Sequence, residues 1–509
     1  MNSKTVIQDI KAGVVVFLVA LPLCLGIALA CKAPLFSGIL AGVIGGIIVT
    51  VFSGSALSVS GPAAGLTSIV IGSVLVLGSF EAFMAAVIFA GILQIIFGLI
   101  KAGGVGNYIP NAVIKGMLAG IGIILIIKQI PHLVGYDLDP EGEFDFIQPD
   151  GHNTFSDLVY MVNYITPGAV VVGIVSMLIL LISEREFYKR DKFLSMIPGP
   201  LLTVVFGILL NISFSSFNES PLNITSEHLV QLPVIKNYND FRSILITPDF
   251  SLIYGTKFWI VVFTVAMVAS LESLLSVEAT DKLDLKKRNS NSNKELVAQG
   301  IGNIVCGLAG ALPVTAVIVR SSANINAGGQ TKLSAIFHAV LLAVSILFLP
   351  NILSLIPNAS LAAILIVTGY KLAKPSLLKD YFYKGSSQII PFVITVVVML
   401  LTDLLKGVTA GIIVSVFFII RSNIKSSFDT AHDVIDNKMH YLIKLPQHVT
   451  FFNKGFLMNY FRTIKPQSKV IIDGSINKTI DNDVKEVITE FLATCKEKHI
   501  KTSLINLNL

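Results

Sequence analysis

Two ionisable side chains stand where a lipid-embedded segment should carry none. Glu272 lies in "VAMVASLESLLSVEATDKL" (Val265–Leu283), and Arg320 closes "ALPVTAVIVR" (Ala311–Arg320). A charge near mid-bilayer costs on the order of 3 kcal/mol or more, so each needs a partner or a task. Ser276 follows Glu272 by four residues and shares its helical face. A carboxylate and a hydroxyl on one face suit a small cation or a proton. The plainer alternative is a structural ion pair between Glu272 and Arg320.

The segment ending in Arg320 has an echo. "ALSVSGPAAG" (Ala56–Gly65) and "ALPVTAVIVR" both open with Ala-Leu, keep Val at the fourth position and follow it with a small hydroxyl residue, Ser60 or Thr315. In the first copy Ser58-Val59-Ser60 is short and β-like, Gly61-Pro62 breaks the chain, Ser60 is a good N-cap and Pro62 suits a first helical turn. The pattern predicts a helix starting near Gly61, inside an uncharged stretch. The second copy predicts another starting near Ala316. Helix N-termini carry unsatisfied N–H groups and about half a positive charge, so two of them meeting at mid-membrane would form an anion site. Small residues at Gly61, Ala63, Ala64 and Ala316 would let a ligand reach the backbone. Ordinary Gly/Pro kinks in continuous helices are the rival reading.

These elements must sit in a membrane. The chain has 509 residues, of which 53% are apolar, and its mean hydropathy is +0.76. No soluble domain carries that composition. Residues 12–31 and 33–80 are uncharged, and further apolar stretches at 82–100, 110–130, 167–182, 194–211, 257–277, 296–310, 333–349, 358–370, 390–402 and 408–420 bring the count to about fourteen segments. The first is too long for a signal peptide. Lys and Arg gather at 183–192, 281–294 and 371–384, whereas 137–157 contains neither. The positive-inside rule then places the basic loops and both termini in the cytoplasm and 131–166 outside. Lys115 and Lys128 read as snorkelling near span ends.

The echo has an offset of 255 residues (Ala56 to Ala311), somewhat over half the membrane block. A long internal repeat of this kind marks a transporter built from two related halves. Counting favours seven spans in each, and an odd number would invert the second half. The texture changes to soluble α/β near residue 437. "HYLIKL", "KVIID" and "TSLINL" read as strands, and "DNDVKEVITEFLATCKEK" as an amphipathic helix. The domains expected are thus 1–425 in the membrane and 437–509 in the cytoplasm. The four cysteines fit no metal or disulfide spacing, and His338 is alone in its span. No nucleophile–base pair falls in the spans, so an enzyme is not expected. Neither is a metal site, a cofactor or a nucleic-acid partner.

"ASLESLLSVEATDKL", "NKELVAQGIGNIVCGLAGALPVTAVIVRSSANINAGGQTKLSAIFHA" and "LSVSGPAAGLT" resemble the SulP anion permeases, bacterial relatives of the solute-carrier 26 exchangers, over the whole membrane block. The resemblance implies an all-α polytopic protein of fourteen spans, arranged as seven-plus-seven inverted repeats with uracil-permease-like core and gate domains. The core would move against the gate in an elevator-like cycle. The anion would bind between the third and tenth spans, at Ser60, Gly61, Pro62, Ala63, Ala64, Thr315, Ala316, Val317, Ile318 and Arg320. Glu272 matches the family's acidic coupling position and Ser276 the hydroxyl one turn later. In sodium-coupled bicarbonate members that acid is Asp, and in proton-linked members Glu, so both Na+ and H+ stay open here.

There are departures. Pro22 is followed by Leu23, not the usual Gln, and Ile27 and Ala63 replace aromatic positions of animal members. "LPLCLGIALA" (21–30) resembles the subgroup linked to carbonic anhydrase, which tilts the substrate toward bicarbonate and suggests functional association with that enzyme. The tail, with "VIIDGSINKTIDND" (470–483), resembles a reduced STAS domain whose Ser-rich turn reads Asp481-Asn482-Asp483, suited to dimerisation or packing. The expectation is a secondary active transporter of a small inorganic anion, homodimeric, in the lipid of a bacterial inner membrane. Sulfate permeation is the alternative within the family, and a passive anion channel or exchanger the alternative outside this mechanism.

Overall fold

The computed structural model describes residues 3–137, 146, 153–190, 197–216, 222–230, 246–425, 428–435 and 438–507. Most of the acidic segment 137–157 lies outside them, as do 191 and 192 of the first basic loop. The chain divides into two compact units, 1–412 and 413–509.

The first unit is helical. Its elements are α1 (Ser3–Ala30), α2 (Leu35–Ile44), β1 (Ser60–Pro62), α3 (Thr67–Leu77), α4 (Phe80–Leu99), α5 (Asn111–Leu133), α6 (Thr154–Tyr160), α7 (Pro167–Ser183), α8 (Gly199–Ser215), α9 (Thr256–Leu283), α10 (Ser292–Ala309), β2 (Val314–Ala316), α11 (Ile318–Asn326), α12 (Leu333–Phe348), α13 (Asn358–Leu372), α14 (Ser386–Leu401) and α15 (Leu404–Lys425), the last leading into the second unit. Among the described residues, seven helices are long and apolar enough to cross a membrane. A bent pair, Thr154–Tyr164 with Pro167–Ser183, adds an eighth candidate, and four shorter apolar helices accompany them. The half-length helices are those on which a simple length rule fails.

Local chemistry explains many boundaries. Gly78 (φ 83°) ends α3 in the left-handed region, and the Ser79 hydroxyl then caps α4 by accepting the Ala82 N–H. Asn291 caps α10, and Gly310 (φ 73°) ends it. Among the described residues two large apolar cores form, one around α4, α9 and α10 and the other around α1, α5 and α13. Each has a seam where backbones touch. A Cβ on Gly91 of α4 would lie 2.6 Å from the Gly300 carbonyl of α10, and one on Gly122 of α5 would lie 2.4 Å from the Gly369 carbonyl of α13. Such small-residue contacts let helices approach where burial from lipid supplies little drive.

A polar cluster closes the C-terminal end of α5. The Asp137 carboxylate lies 2.7 Å from Nδ1 of His132 and 2.7 Å from Nδ1 of His228, while Nε2 of His228 meets the Thr166 hydroxyl at 3.1 Å. Burial would raise Asp137, but the bonds from His132 and then His228 together outweigh it and hold its carboxyl below the ordinary value. The same bond to Asp137 holds His228 above its ordinary value.

The repeated segments correct one expectation. No helix starts at Gly61 or Ala316. Ser60, Gly61 and Pro62 pair antiparallel with Ala316, Thr315 and Val314. A short 3-10 turn, Ala64–Leu66, precedes α3, and α11 begins at Ile318. Val317 N donates to Val59 O, so pairs alternate along the ribbon and Pro62 opposite Val314 is a non-hydrogen-bonded pair. Proline is tolerated there because its missing N–H would have pointed away from the partner strand. Extended pairing won over helical capping because each short segment satisfies the other's backbone in an apolar setting.

The second unit pairs strands β3 (Asp429–Ile435), β4 (Lys438–Lys444), β6 (Lys469–Asp473) and β8 (Lys501–Ile505) in that order, with β5 (His448–Val449) and β7 (Thr479–Ile480) as a separate pair. β3 runs antiparallel to β4, and the remaining pairings in the four-stranded sheet are parallel. Helices α16 (Lys454–Thr463) and α17 (Asn482–Glu497) contribute Leu457, Phe461, Ile488 and Phe491 to its core. Asp481 caps α17 by accepting the Asp483 N–H. Two of the strands expected from sequence match β6 and β4 within two residues, and "TSLINL" matches β8.

Candidate functional site

The crossing of β1 and β2 leaves two helix starts beside one small cavity of about 40 Å³. Its walls include Leu23 and Ile27 of α1, Pro62, Ala64 and Gly65, Glu272 and Ser276 of α9, and Val317, Ile318, Val319 and Arg320. A single water needs about 10–15 Å³ on this scale, so the space suits a small polyatomic ion rather than an organic substrate.

The two helix starts are not equivalent. At the first, the Gly65 N–H bonds the Glu272 carboxylate, and a Cβ on Gly65 would sit 3.1 Å from Oε1 of Glu272. The protein's own acid thus occupies that end, with its Oε2 buried and without a hydrogen-bond partner among the described residues. At the second, no side chain caps α11, and its first N–H groups have no acceptor within the helix. This end is open to an external anion.

Arg320, one turn into α11, is 1% exposed. Among the described residues, both of its terminal nitrogens, Nη1 and Nη2, lack a hydrogen-bond partner. Its guanidinium lies beside Cys24 and packs over Gly61, where a Cβ would come within 2.1 Å of Nη1. The guanidinium is a delocalised cation, so a buried positive charge borders the cavity. The structural ion pair between Arg320 and Glu272 is not formed.

The structure separates the residues singled out from sequence into two groups. Pro62, Ala64, Val317, Ile318, Arg320, Glu272 and Ser276 line the cavity. Ser60, Gly61, Ala63, Thr315 and Ala316 belong to or flank the ribbon behind it. The Ser60 hydroxyl accepts from Gln299 at 2.8 Å, and the Thr315 hydroxyl turns to the Ala316 carbonyl at 3.3 Å. Ala63 is buried in an apolar core.

Sequence reasoning missed the polar face behind the ribbon. Glu295, Gln299 and Asn303 recur every fourth residue along α10, and all are fully buried. The Glu295 carboxylate accepts from the Ser53 hydroxyl and from the Gly54 N–H at 3.2 Å. Asn303 brackets Val314, and the Ser273 hydroxyl accepts the Ala316 N–H at 3.3 Å. The signal was the spacing of three polar residues in "ELVAQGIGN", a stripe with no reason to be polar if it faced lipid.

A helical membrane protein whose discontinuous segments meet at a small cavity, with a buried cation and a buried acid on its border, has the design of a transporter. The sequence family agrees: residues 6–395 match the model of the sulfate permease family, and the chain belongs to that family of anion transporters. It is 27% identical over 424 residues to YvdB of Bacillus subtilis, which carries a provisional sulfate-transporter name, covering 81% of this chain and 73% of that protein. It is 27% identical over 451 residues to the bicarbonate transporter BicA of Picosynechococcus, covering 86% of this chain and 75% of that protein. The solved transmembrane domain of a cyanobacterial BicA superposes with a TM-score of 0.57 at 25% identity, over 81% of this chain and 98% of that one. The murine anion transporter Slc26a9, in an inward-facing state, shares the fold with a TM-score of 0.70 at 15% identity, over 100% of this chain and 87% of that one.

Proposed function

We propose that the protein is a secondary active transporter of bicarbonate, with the anion bound at the open N-terminus of α11 and Glu272 as the coupling group. The observation that carries this reading is the inequality of the two helix ends. One holds the Glu272 carboxylate through Gly65, and the other is uncapped beside a cationic Arg320. An anion entering the second end faces the acid at the first. A proton or Na+ at Glu272 removes that repulsion, so anion and cation each lower the cost of the other. An elevator-like movement of the segment-bearing core would then carry both across a cell membrane, from a cytoplasmic side that holds both termini.

Bicarbonate is favoured over sulfate because it carries the single charge that one guanidinium can offset. The shared fold with BicA supports it, while the similarity to YvdB keeps sulfate as the second reading. A passive channel is disfavoured because an acid at the binding site has no use in a pore. The second unit, read as a STAS-like domain, would serve a homodimer. The deciding experiment is uptake of labelled bicarbonate and sulfate into proteoliposomes, with sodium and pH gradients imposed separately. Accumulation of bicarbonate under either gradient is the expected result. Sulfate accumulation alone would reassign the substrate, and gradient-independent equilibration would reassign the mechanism.

A further inference from the structure

We infer that Asn303 is a positioning residue that fixes the anion-binding strand against the helix carrying Glu272, an inference resting on the transport reading above. In the β1–β2 ribbon Val314 and Ala316 sit in non-hydrogen-bonded pairs, so their N–H and C=O groups face away from β1. Left bare in an apolar interior, such an edge is costly. Asn303 serves it as a third strand would. Its Oδ1 accepts the Val314 N–H at 2.7 Å, and its Nδ2 donates to the Val314 carbonyl at 3.0 Å. Only a side chain with both donor and acceptor can make this two-point bracket, which is why an amide stands there.

The same Nδ2 also donates to Oε1 of Gln94 on α4 at 2.7 Å, and Nε2 of Gln94 donates to the Ser270 hydroxyl on α9 at 3.3 Å. Ser270 and Ser273 flank Glu272, and the Ser273 hydroxyl takes the Ala316 N–H. The strand at the anion site is therefore tied to the Glu272 helix twice, directly through Ser273 and indirectly through Asn303 and Gln94. Asn303, Gln94 and Ser273 are fully buried, so water does not compete for these bonds. A chain of buried, mutually polarising bonds has a single good arrangement. Through it, the spacing between the anion end of α11 and the acid that governs coupling is held constant while the two move together.

The test uses the full chain, purified and reconstituted, with rates normalised to monodisperse protein. Three variants are compared in bicarbonate uptake: Asn303→Ala, Asn303→Asp and Gln94→Ala. Asn303→Asp keeps the acceptor for Val314 and both donations are lost, so it remains informative where Asn303→Ala does not fold. Both Asn303 variants should raise KM about fivefold or more, the loss of at least one buried hydrogen bond at the site. Gln94→Ala leaves the Val314 bracket intact. It should leave KM as in the wild type yet lower gradient-driven accumulation relative to counterflow exchange. Wild-type KM and wild-type accumulation ratio in all three, with only yield or Tm reduced, would show that the network is merely structural and overturn the inference. A wild type that moves neither bicarbonate nor sulfate would overturn the transport reading, and this inference with it.

Discussion

Arg320 and Glu272 border the same cavity and do not pair. The guanidinium lies over Gly61 and beside Cys24, whereas the carboxylate takes the Gly65 N–H, and each keeps a buried polar atom without a hydrogen-bond partner among the described residues. Two unpaired ionisable groups within one membrane site are costly to maintain. That cost is understandable if each awaits a mobile ion, and three consequences can be measured.

Replacing Glu272→Gln removes the titratable acid while keeping its size. Counterflow exchange of bicarbonate should persist, because the open end of α11 is untouched. Accumulation driven by a proton or sodium gradient should be lost. Measuring both in the same liposomes separates the outcomes. A variant that concentrates substrate as well as the wild type would show Glu272 to be structural.

Arg320→Gln removes the cation. A hydrogen bond to a charged group contributes about 1.5–3 kcal/mol, so KM for the anion should rise about 10- to 150-fold. Gly61→Ala should act in the same direction, since its Cβ would displace Nη1. Initial rates over a range of anion concentrations provide the check, and an unchanged KM in Arg320→Gln would place the anion elsewhere.

Ala64→Phe should fill the cavity that Ala64 lines, abolishing substrate binding while preserving assembly. Ala316→Phe should instead damage folding, because Ala316 is fully buried in the ribbon and not on the cavity wall. Size-exclusion profiles and uptake of the two variants distinguish these fates. Equal loss of monodisperse protein in both would refute the distinction.

The Asp137 cluster predicts a pH window of stability. His228 is held above its ordinary 6.5, so its contribution is complete below that value and fades as pH rises through the raised one. Asp137 is held below its ordinary 3.8, so its contribution is present above that value and fades as pH falls through the lowered one. The two overlap between about 3.8 and 6.5. Within that range Asp137→Asn should lower Tm most relative to wild type, and the difference should shrink at alkaline pH. Thermal unfolding in detergent across pH measures it, and a pH-independent difference would remove the electrostatic explanation.

The membrane class, the position of nearly every apolar helix, the α/β tail and the repeated segment were legible in the sequence. Each rests on a local signal: hydropathy, periodicity or a Gly/Pro break. The odd charges Glu272 and Arg320 were legible for the same reason, since a charge in an apolar run needs no structure to be noticed. Their relationship was not. Whether two buried charges pair depends on which way each side chain leaves its helix, and Gly61 opened a place for Arg320 away from Glu272. The ribbon was also hidden, because Ser60 and Pro62 have the types of a helix start. Only the partner segment, more than 250 residues away in sequence, turned them into a strand. The role of Asn303 follows from that pairing: its bracket on Val314 exists because the register of β1 and β2 turns the Val314 backbone outward, and register is a property of two segments together.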